Sequence, residues 1–362
     1  MIADKGRNPQ IRRLPKPSKS HFSGSLELPE HLLESGLHSL PAAILKRVLV
    51  VDYSQSGQLS EIAAQLIAPL RDDGHVVHRE TLVPVEPFPF PWPIVDFVDA
   101  MPECVQLDAP PLKPLSIAAD ADVDFDLVIL CYQVWFLSPA LPITAFLHST
   151  EGKRLIGGKP VVTLVACRNM WLSAQETMSR LITEAGGTLC DHIALTDSGH
   201  PLATFVTTPR WVLTGKRDRF LGLPPAGVAP KEIRAARRFG QALAAALDRN
   251  DETTGQPMLS GLRAVTVNPR LAISERAGRR AFGVWSRLIR AFGQRGSWQR
   301  RPILLVFSLY LIVMVITVVP SSLLLQWLLS PLLKSRLEGL RARLELPSGS
   351  QAFNLEKYDQ SR

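Results

Sequence analysis

The chain has 362 residues, 46% hydrophobic and 20% charged, which supplies core for more than one average domain and excludes a disordered or low-complexity chain. Four scattered cysteines (Cys104, Cys131, Cys167 and Cys190) make no Cys-x-x-Cys pair and no metal-ligand spacing, which speaks against a disulfide scaffold and a zinc module. The net charge of +8 is local: residues 256–301 hold ten Arg against one acid, Glu275, a net +9, so the remainder carries −1. A basic block directly before the most apolar stretch of the chain points to a membrane surface and away from nucleic acid.

In chain order, residues 1–45 are rich in Pro, Ser and scattered charge and are expected to be loosely ordered. Residues 1–7 have no apolar core of a signal peptide, so a reducing cytoplasm is expected for the soluble part. The run Val48-Leu49-Val50-Val51 predicts a first strand, and Ile62, Leu66 and Leu70 mark the helix after it. Residues 75–82 predict a second strand. The insertion 84–105, carrying FPFPWP, is expected to stay irregular because of its prolines. Residues 126–132, 160–167 and 189–196 predict strands three to five, with helices around 143–148 and at 173–185; a further insertion precedes a helix at 231–247. Near-continuous Val, Ile and Leu strands alternating with helices predict a parallel sheet covered on both faces. Five such units across 46–250 fit an α/β, flavodoxin-like, doubly wound five-stranded sheet of order 2-1-3-4-5. The first turn lacks G-x-G-x-x-G, against a nicotinamide-binding Rossmann fold.

Residues 251–301 predict a basic linker and an amphipathic helix. On its wheel Phe282, Trp285, Leu288, Ile289 and Phe292 gather opposite Arg276, Arg279, Arg280, Arg287 and Arg290, as in a helix lying among anionic headgroups; a soluble helix packed on the main domain is the alternative. Residues 302–333 carry no charge. A single helix of that length would measure about 48 Å against about 30 Å of hydrocarbon, so a kinked span or a re-entrant hairpin divided at Pro320 is expected. Arg300 and Arg301 before it, with Lys334 and Arg336 after it, favour both ends on the cytoplasmic side; a polar tail, 334–362, follows.

Ligands of doubly wound sheets sit beyond the carboxyl ends of the strands, where three loops qualify. After strand one, Ser54, Ser56, Gly57, Gln58 and Leu59 offer hydroxyls and backbone N–H groups at a helix N-terminus, suited to a phosphate. The loop has no Lys, which favours a phosphomonoester over ATP; a plain Ser-capped turn is the alternative. After strand three, Gln133, Val134, Trp135 and Phe136 place aromatic side chains where a flat apolar ring such as a flavin would lie. After strand four come Arg168, Asn169, Met170 and Trp171, with Arg168 placed to stabilise an anionic flavin or a substrate oxygen. Cys167 reads as a small core residue. Asp197 and His200, past strand five, are candidates to move protons, with Glu103 as the alternative base; His75 and His78 read as edge or surface residues. The FPFPW segment (88–92) is either a lid or a Pro-rich surface crossing.

The loop YSQSG and the aromatic loop after strand three resemble the flavodoxin-like, FMN-binding oxidoreductases. More narrowly, YSQSGQLSEI, FPFPW with DAMPE, YQVWFLSPALPITAFL, CRNMWLSAQE, LTDSGHPL and the RW-x3-GK element at 210–216 are similar to the dialkylresorcinol condensing enzyme family over residues 46–250. The resemblance implies FMN and the aromatisation of a cyclic dione in bacterial dialkylresorcinol or aryl-polyene biosynthesis. It implies as partners membrane lipid, a ketosynthase and an acyl carrier protein, and as location the cytoplasmic face of the inner membrane. It leaves open NAD(P)H as a further cofactor and a homodimer. No ketosynthase Cys–His–His or Cys–His–Asn arrangement is recoverable, so the residues favour redox chemistry over condensation. The alternatives are a membrane-tethered scaffold without turnover and a general NAD(P)H:quinone reductase.

Overall fold

The computed structural model describes residues 45–119, 123–200, 203–318, 321 and 338–358; the predicted N-terminal extension, the break at Pro320 and most of the apolar stretch beyond it lie outside them. In chain order the elements are β1 (Arg47–Asp52), α1 (Gln58–Asp72), β2 (Val76–Thr81), α2 (Ile94–Asp99), α3 (Met101–Gln106), β3 (Leu127–Tyr132), β4 (Val134–Trp135) and β5 (Ser138–Pro139). Then follow α4 (Leu141–His148), α5 (Thr150–Ile156), β6 (Pro160–Cys167), α6 (Leu172–Glu184), β7 (Thr188–Thr196), α7 (Thr204–Thr214), α8 (Pro230–Ala235), α9 (Arg237–Leu247), α10 (Pro269–Ala291) and α11 (Arg301–Val313).

Five strands pair in parallel in the order β2-β1-β3-β6-β7, while β4 and β5 form a separate two-stranded ribbon. Counted within the sheet this is 2-1-3-4-5, the flavodoxin-like order expected. The central strands are buried because Val, Ile and Leu fill both faces: every residue of β3 is buried, as are Val48–Val51 of β1. At its carboxyl end β1 closes on Asp52, which is fully buried and receives two 2.9 Å bonds from Arg79, with further donors Ser60 and Thr81. That cluster pins the start of the loop leading into α1.

Three expectations are corrected. The insertion 84–105 is irregular only in its proline-rich first half. Once Pro93 is passed, α2 forms, and Pro102 sits in the first turn of α3, where a missing N–H costs nothing. The single helix expected at 231–247 is two, α8 and α9, meeting at Ala236. The body also continues past residue 250. Leu259, Leu262, Ala264 and Val265 are buried in the main core, and Ala194 of the edge strand β7 donates its N–H to the Ala264 carbonyl. The C-terminal residues return here as well: Ser348 donates to buried Asp191 at 2.7 Å and accepts from the His192 N–H at 2.7 Å. The edge of β7 needed a cover, and residues on both sides of the apolar stretch supply it.

The basic helix α10 is likewise part of the protein. Its apolar side, expected to face lipid, turns inward: Ile289 is buried, and Phe282 and Trp285 pack with Phe307 of α11 beside Val98 and Met101. Gln106 donates to Ser286 at 2.6 Å, and Arg290 pairs with Asp108. Glu275, the one acid of the basic block, is buried and accepts the Ser173 N–H at 2.6 Å, capping α6 from a hundred residues downstream. Only three of the five residues of the apolar side of α10 are so covered: Leu288, and Phe292 just past the helix, stay exposed, as do Val284, Arg276, Arg280 and Arg287. Arg300, 1% exposed, enters α11 held by Asp99 at 3.0 Å and Glu103 at 2.7 Å. The helix Trp298–Thr317 is long and apolar enough to cross a membrane, and Leu305, Leu309 and Ile316 stand exposed on it.

Two predictions follow from these buried charges. Removing one member of a buried ion pair strands the others, so Arg300→Ala should cost about 3–5 kcal/mol in urea unfolding of the full chain. Burial pushes the Asp191 carboxyl up to about 6, against bonds from Ser348, Met258 and Leu259 that pull it down. A raised folded-state value gives stability that is full below about pH 4 and lost as pH climbs through 6, an effect of about 3 kcal/mol. Asp191→Asn should flatten that part of the stability–pH curve, measured by denaturant titration between pH 4 and 8.

Candidate functional site

The carboxyl ends of β1, β3, β6 and β7 meet at a cavity of about 220 Å³. The β1–α1 loop forms one rim. Gly57 caps α1 in a left-handed conformation, φ +84°, and a Cβ there would meet no protein atom within 4 Å. The Ser54 hydroxyl accepts the Leu59 N–H at 3.1 Å, and Gln55 donates its N–H to Gln133 and its side chain to the Pro89 carbonyl. The N–H groups of Ser56, Gly57 and Gln58 have no partner among the described residues, so the positive end of α1 opens onto the rim. Gln58 is turned away from this rim, its amide exchanging bonds with the backbone of Val228.

Aromatic side chains line the next wall. Trp135 packs edge-on against Tyr53, Phe88 and Trp92, with ring centroids 4.9–5.8 Å apart. Phe136 and Leu137 make the two-residue turn between β4 and β5, both left-handed at φ +48° and +61°, where a hairpin ordinarily carries Asn or Gly. The FPFPW segment lines the cavity through Phe90 and Trp92, and the Trp92 N–H bonds the Val212 carbonyl of α7. It serves as a lid.

Arg168 holds the third wall, its guanidinium carbon 3.5 Å from the ring centre of Phe205. Burial, against the pull of Asp197, brings it down to about 10, still a cation at neutral pH. Its buried Nε, and the buried hydroxyl of Thr208, another residue of the cavity lining, have no partner among the described residues. Buried donors are rarely left so without a purpose. Asp197 lines the cavity but is committed to backbone, accepting the N–H groups of Gly199 and Gly227 at 2.7 Å each. Burial pushes the Cys167 thiol well up, as suits a packing residue.

The structure therefore gathers Ser56, Gln58, Leu59, Gln133, Val134, Trp135, Phe136, Arg168 and Asp197 around one cavity, with Ser54 and Gly57 in its rim loop. It leaves out the rest. Trp171 is buried against His192 at 4.8 Å, in the core rather than beside a ligand, and Asn169 and Met170 do not line the cavity. His200 is exposed and off the cavity. Glu103 is spent on Arg300. His78 pairs with Glu80 on the edge strand β2, while His75, read as an edge or surface residue, sits just before that strand and is buried, with Nε2 3.4 Å from the Ala244 carbonyl. Sequence reasoning gave no role to Phe97, Thr208, Trp211 or Gly227; Trp211 lies within the RW-x3-GK element, the one signal that pointed there.

No protein-family model and no curated protein matches the chain. Solved structures similar to it include a flavoprotein in complex with FMN from Lactobacillus acidophilus NCFM, 18% identical, covering 41% of this chain and 93% of that one, with a TM-score of 0.33. A flavodoxin from the domain Archaea is 12% identical over 56% of this chain and 98% of its own, TM-score 0.31. A flavone reductase is 10% identical over 58% and 65%, TM-score 0.32. At these identities the likeness is one of fold.

Gly227 has φ +91°, and a Cβ there would lie 2.7 Å from Gln58 Oε1 and 2.9 Å from the Trp211 ring. Gly227→Ala should therefore cost about 1–3 kcal/mol and displace Gln58. A lowered urea midpoint together with a shifted tryptophan emission maximum would show both.

Proposed function

We propose that this chain is an FMN-dependent oxidoreductase that aromatises a cyclic dione bearing lipophilic chains, in dialkylresorcinol or aryl-polyene biosynthesis. The observation that carries this is the pairing, on one cavity, of three unpartnered N–H groups at the start of α1 with the orphaned Arg168 Nε and Thr208 hydroxyl between aromatic walls. The residues fit FMN: Ser56, Gly57 and Gln58 would hold its phosphate, Trp135 and Trp211 would flank its ring, and the open space at Gly57 is what a phosphate needs. Bound FMN supplies a two-electron acceptor.

A 1,3-dione becomes a resorcinol by losing a hydride from one ring carbon and a proton from its neighbour, two hydrogens in all. Such a dione is acidic enough to arrive as its enolate. Arg168, a desolvated cation with a free Nε–H, would hold that oxyanion, and Thr208 would donate beside it. Asp197 fixes the geometry by tying the loop after β7 to Gly227, and Phe90 and Trp92 keep water out.

The C-terminal elements give this chemistry a place. The exposed apolar side of α11, with Trp298 and Arg301 at its entry and exposed Arg280 and Arg287 on α10, suits an anionic bilayer. A membrane-held site meets its substrate where it concentrates, since each CH₂ favours lipid by about 0.8 kcal/mol. Ketosynthase and acyl carrier protein would deliver the dione at the cytoplasmic face of the inner membrane.

Gly57→Asn and Gly57→Asp both tolerate a left-handed backbone and differ only in charge. Gly57→Asp should lose FMN at least 100-fold relative to Gly57→Asn at pH 7, measured by flavin fluorescence quenching. Equal affinities would move the phosphate elsewhere. If dione turnover survives in a Gly57→Asp protein that holds no FMN, a flavin-independent role is the better account. For the bilayer contact, full-length protein should float with phosphatidylglycerol vesicles, and Leu309→Lys with Ile312→Lys should abolish flotation.

A further inference from the structure

The apolar interior falls into two clusters. The main core surrounds the sheet; a second one, Val98, Met101, Ile289, Leu304 and Phe307, lies between α2, α3, α10 and α11. Among the described residues, two side chains pack against both, Phe97 and Phe136, and both also line the cavity. Their rings stand 4.8 Å apart at centroid, and Phe136 continues through Phe282, 6.2 Å away, to Phe307 of α11. Phe97 and Phe136 thus form the wall of the cavity that borders the second cluster.

Several other parts of the lining are tied by hydrogen bonds. Gln58 is locked to Val228, Asp197 to Gly199 and Gly227, and Trp92 to Val212. Parting any of these would strand buried polar groups, whereas two phenylalanine rings can turn aside without losing a bond. Position 136 is informative in itself. Its left-handed backbone favours Asn or Gly, and a bulky ring there is retained against about 1–3 kcal/mol of strain. A strained residue kept at a cavity wall is placed for what its side chain does.

We propose that an aliphatic chain of the substrate leaves the cavity between Phe97 and Phe136 and runs along Met101, Ile289 and Leu304 toward the exposed side of α11, so that these two rings set the chain length accepted. This rests on the oxidoreductase reading above for the identity of the ring-bearing end. It also accounts for why α10 and α11 are packed onto this wall of the body: the chain passes from cavity to lipid without crossing water.

Three cavity-lining tryptophans, Trp92, Trp135 and Trp211, report binding whether or not FMN is present. Full-length protein in one detergent at one concentration is titrated with 5-methyl-, 5-pentyl- and 5-nonylresorcinol, and the nonyl-to-methyl affinity ratio is compared between variants, so that partitioning into detergent cancels. Phe97→Ala should raise that ratio about tenfold and Phe97→Trp should lower it about tenfold. Should Phe97→Ala not fold, Phe97→Leu takes its place with a rise of about threefold. A ratio that is the same in wild type, the widened variant and Phe97→Trp overturns the channel. If the ratio responds to Phe97 while no variant takes up FMN, the flavin reading falls and the channel stands.

Discussion

Two bulky residues in a left-handed turn, Phe136 and Leu137, are the constraint around which this molecule is arranged. A hairpin of two residues between β4 and β5 demands positive φ at both, and the sequence offers no Asn or Gly to meet it cheaply. The turn persists because its surroundings hold it. Phe97 packs on it from α2, Phe282 from α10, and a Cβ at Gly278 would lie only 3.2 Å from Leu137. One strained turn thus forms a cavity wall and the seat on which the basic helix rests. The ion pairs of Arg300 with Asp99 and Glu103 fasten α11 to the same region.

Seen from the turn, the C-terminal third is part of the site's construction. Glu275 caps α6, the helix that follows the Arg168 loop, and Arg279 donates to the Ser173 carbonyl beside it. Ser348 bonds Asp191 on β7, the strand that leads into Asp197. Residues on both sides of the apolar stretch therefore brace the elements that lead into the cavity.

Much of the fold was legible because period and composition carry it. The buried strands read as Val, Ile and Leu runs, and their alternation with helices led to the sheet order. The β1–α1 and β3–β4 loops were legible as well, since the carboxyl edge of such a sheet is where ligands sit. What failed was long-range. The wheel of α10 correctly showed an apolar side, but a wheel cannot say whether lipid or protein covers it; Phe282, Trp285 and Ile289 face protein. Glu103 and Asp197 looked like free acids because Arg300 and Gly227 are far away in sequence. Thr208 gave no local signal, and only its burial without a partner singles it out.

In the proposed site the amides of Ser56, Gly57 and Gln58 hold the phosphate of a flavin. Charge-assisted hydrogen bonds from two or three amides are worth about 1.5–3 kcal/mol each, whereas the isoalloxazine ring alone would feel only the aromatic walls. Titrating the purified full-length protein with FMN and with riboflavin, by isothermal calorimetry, isolates the phosphate. FMN should bind at least 100-fold more tightly than riboflavin. Equal affinity for the two, or no binding of either, would contradict it.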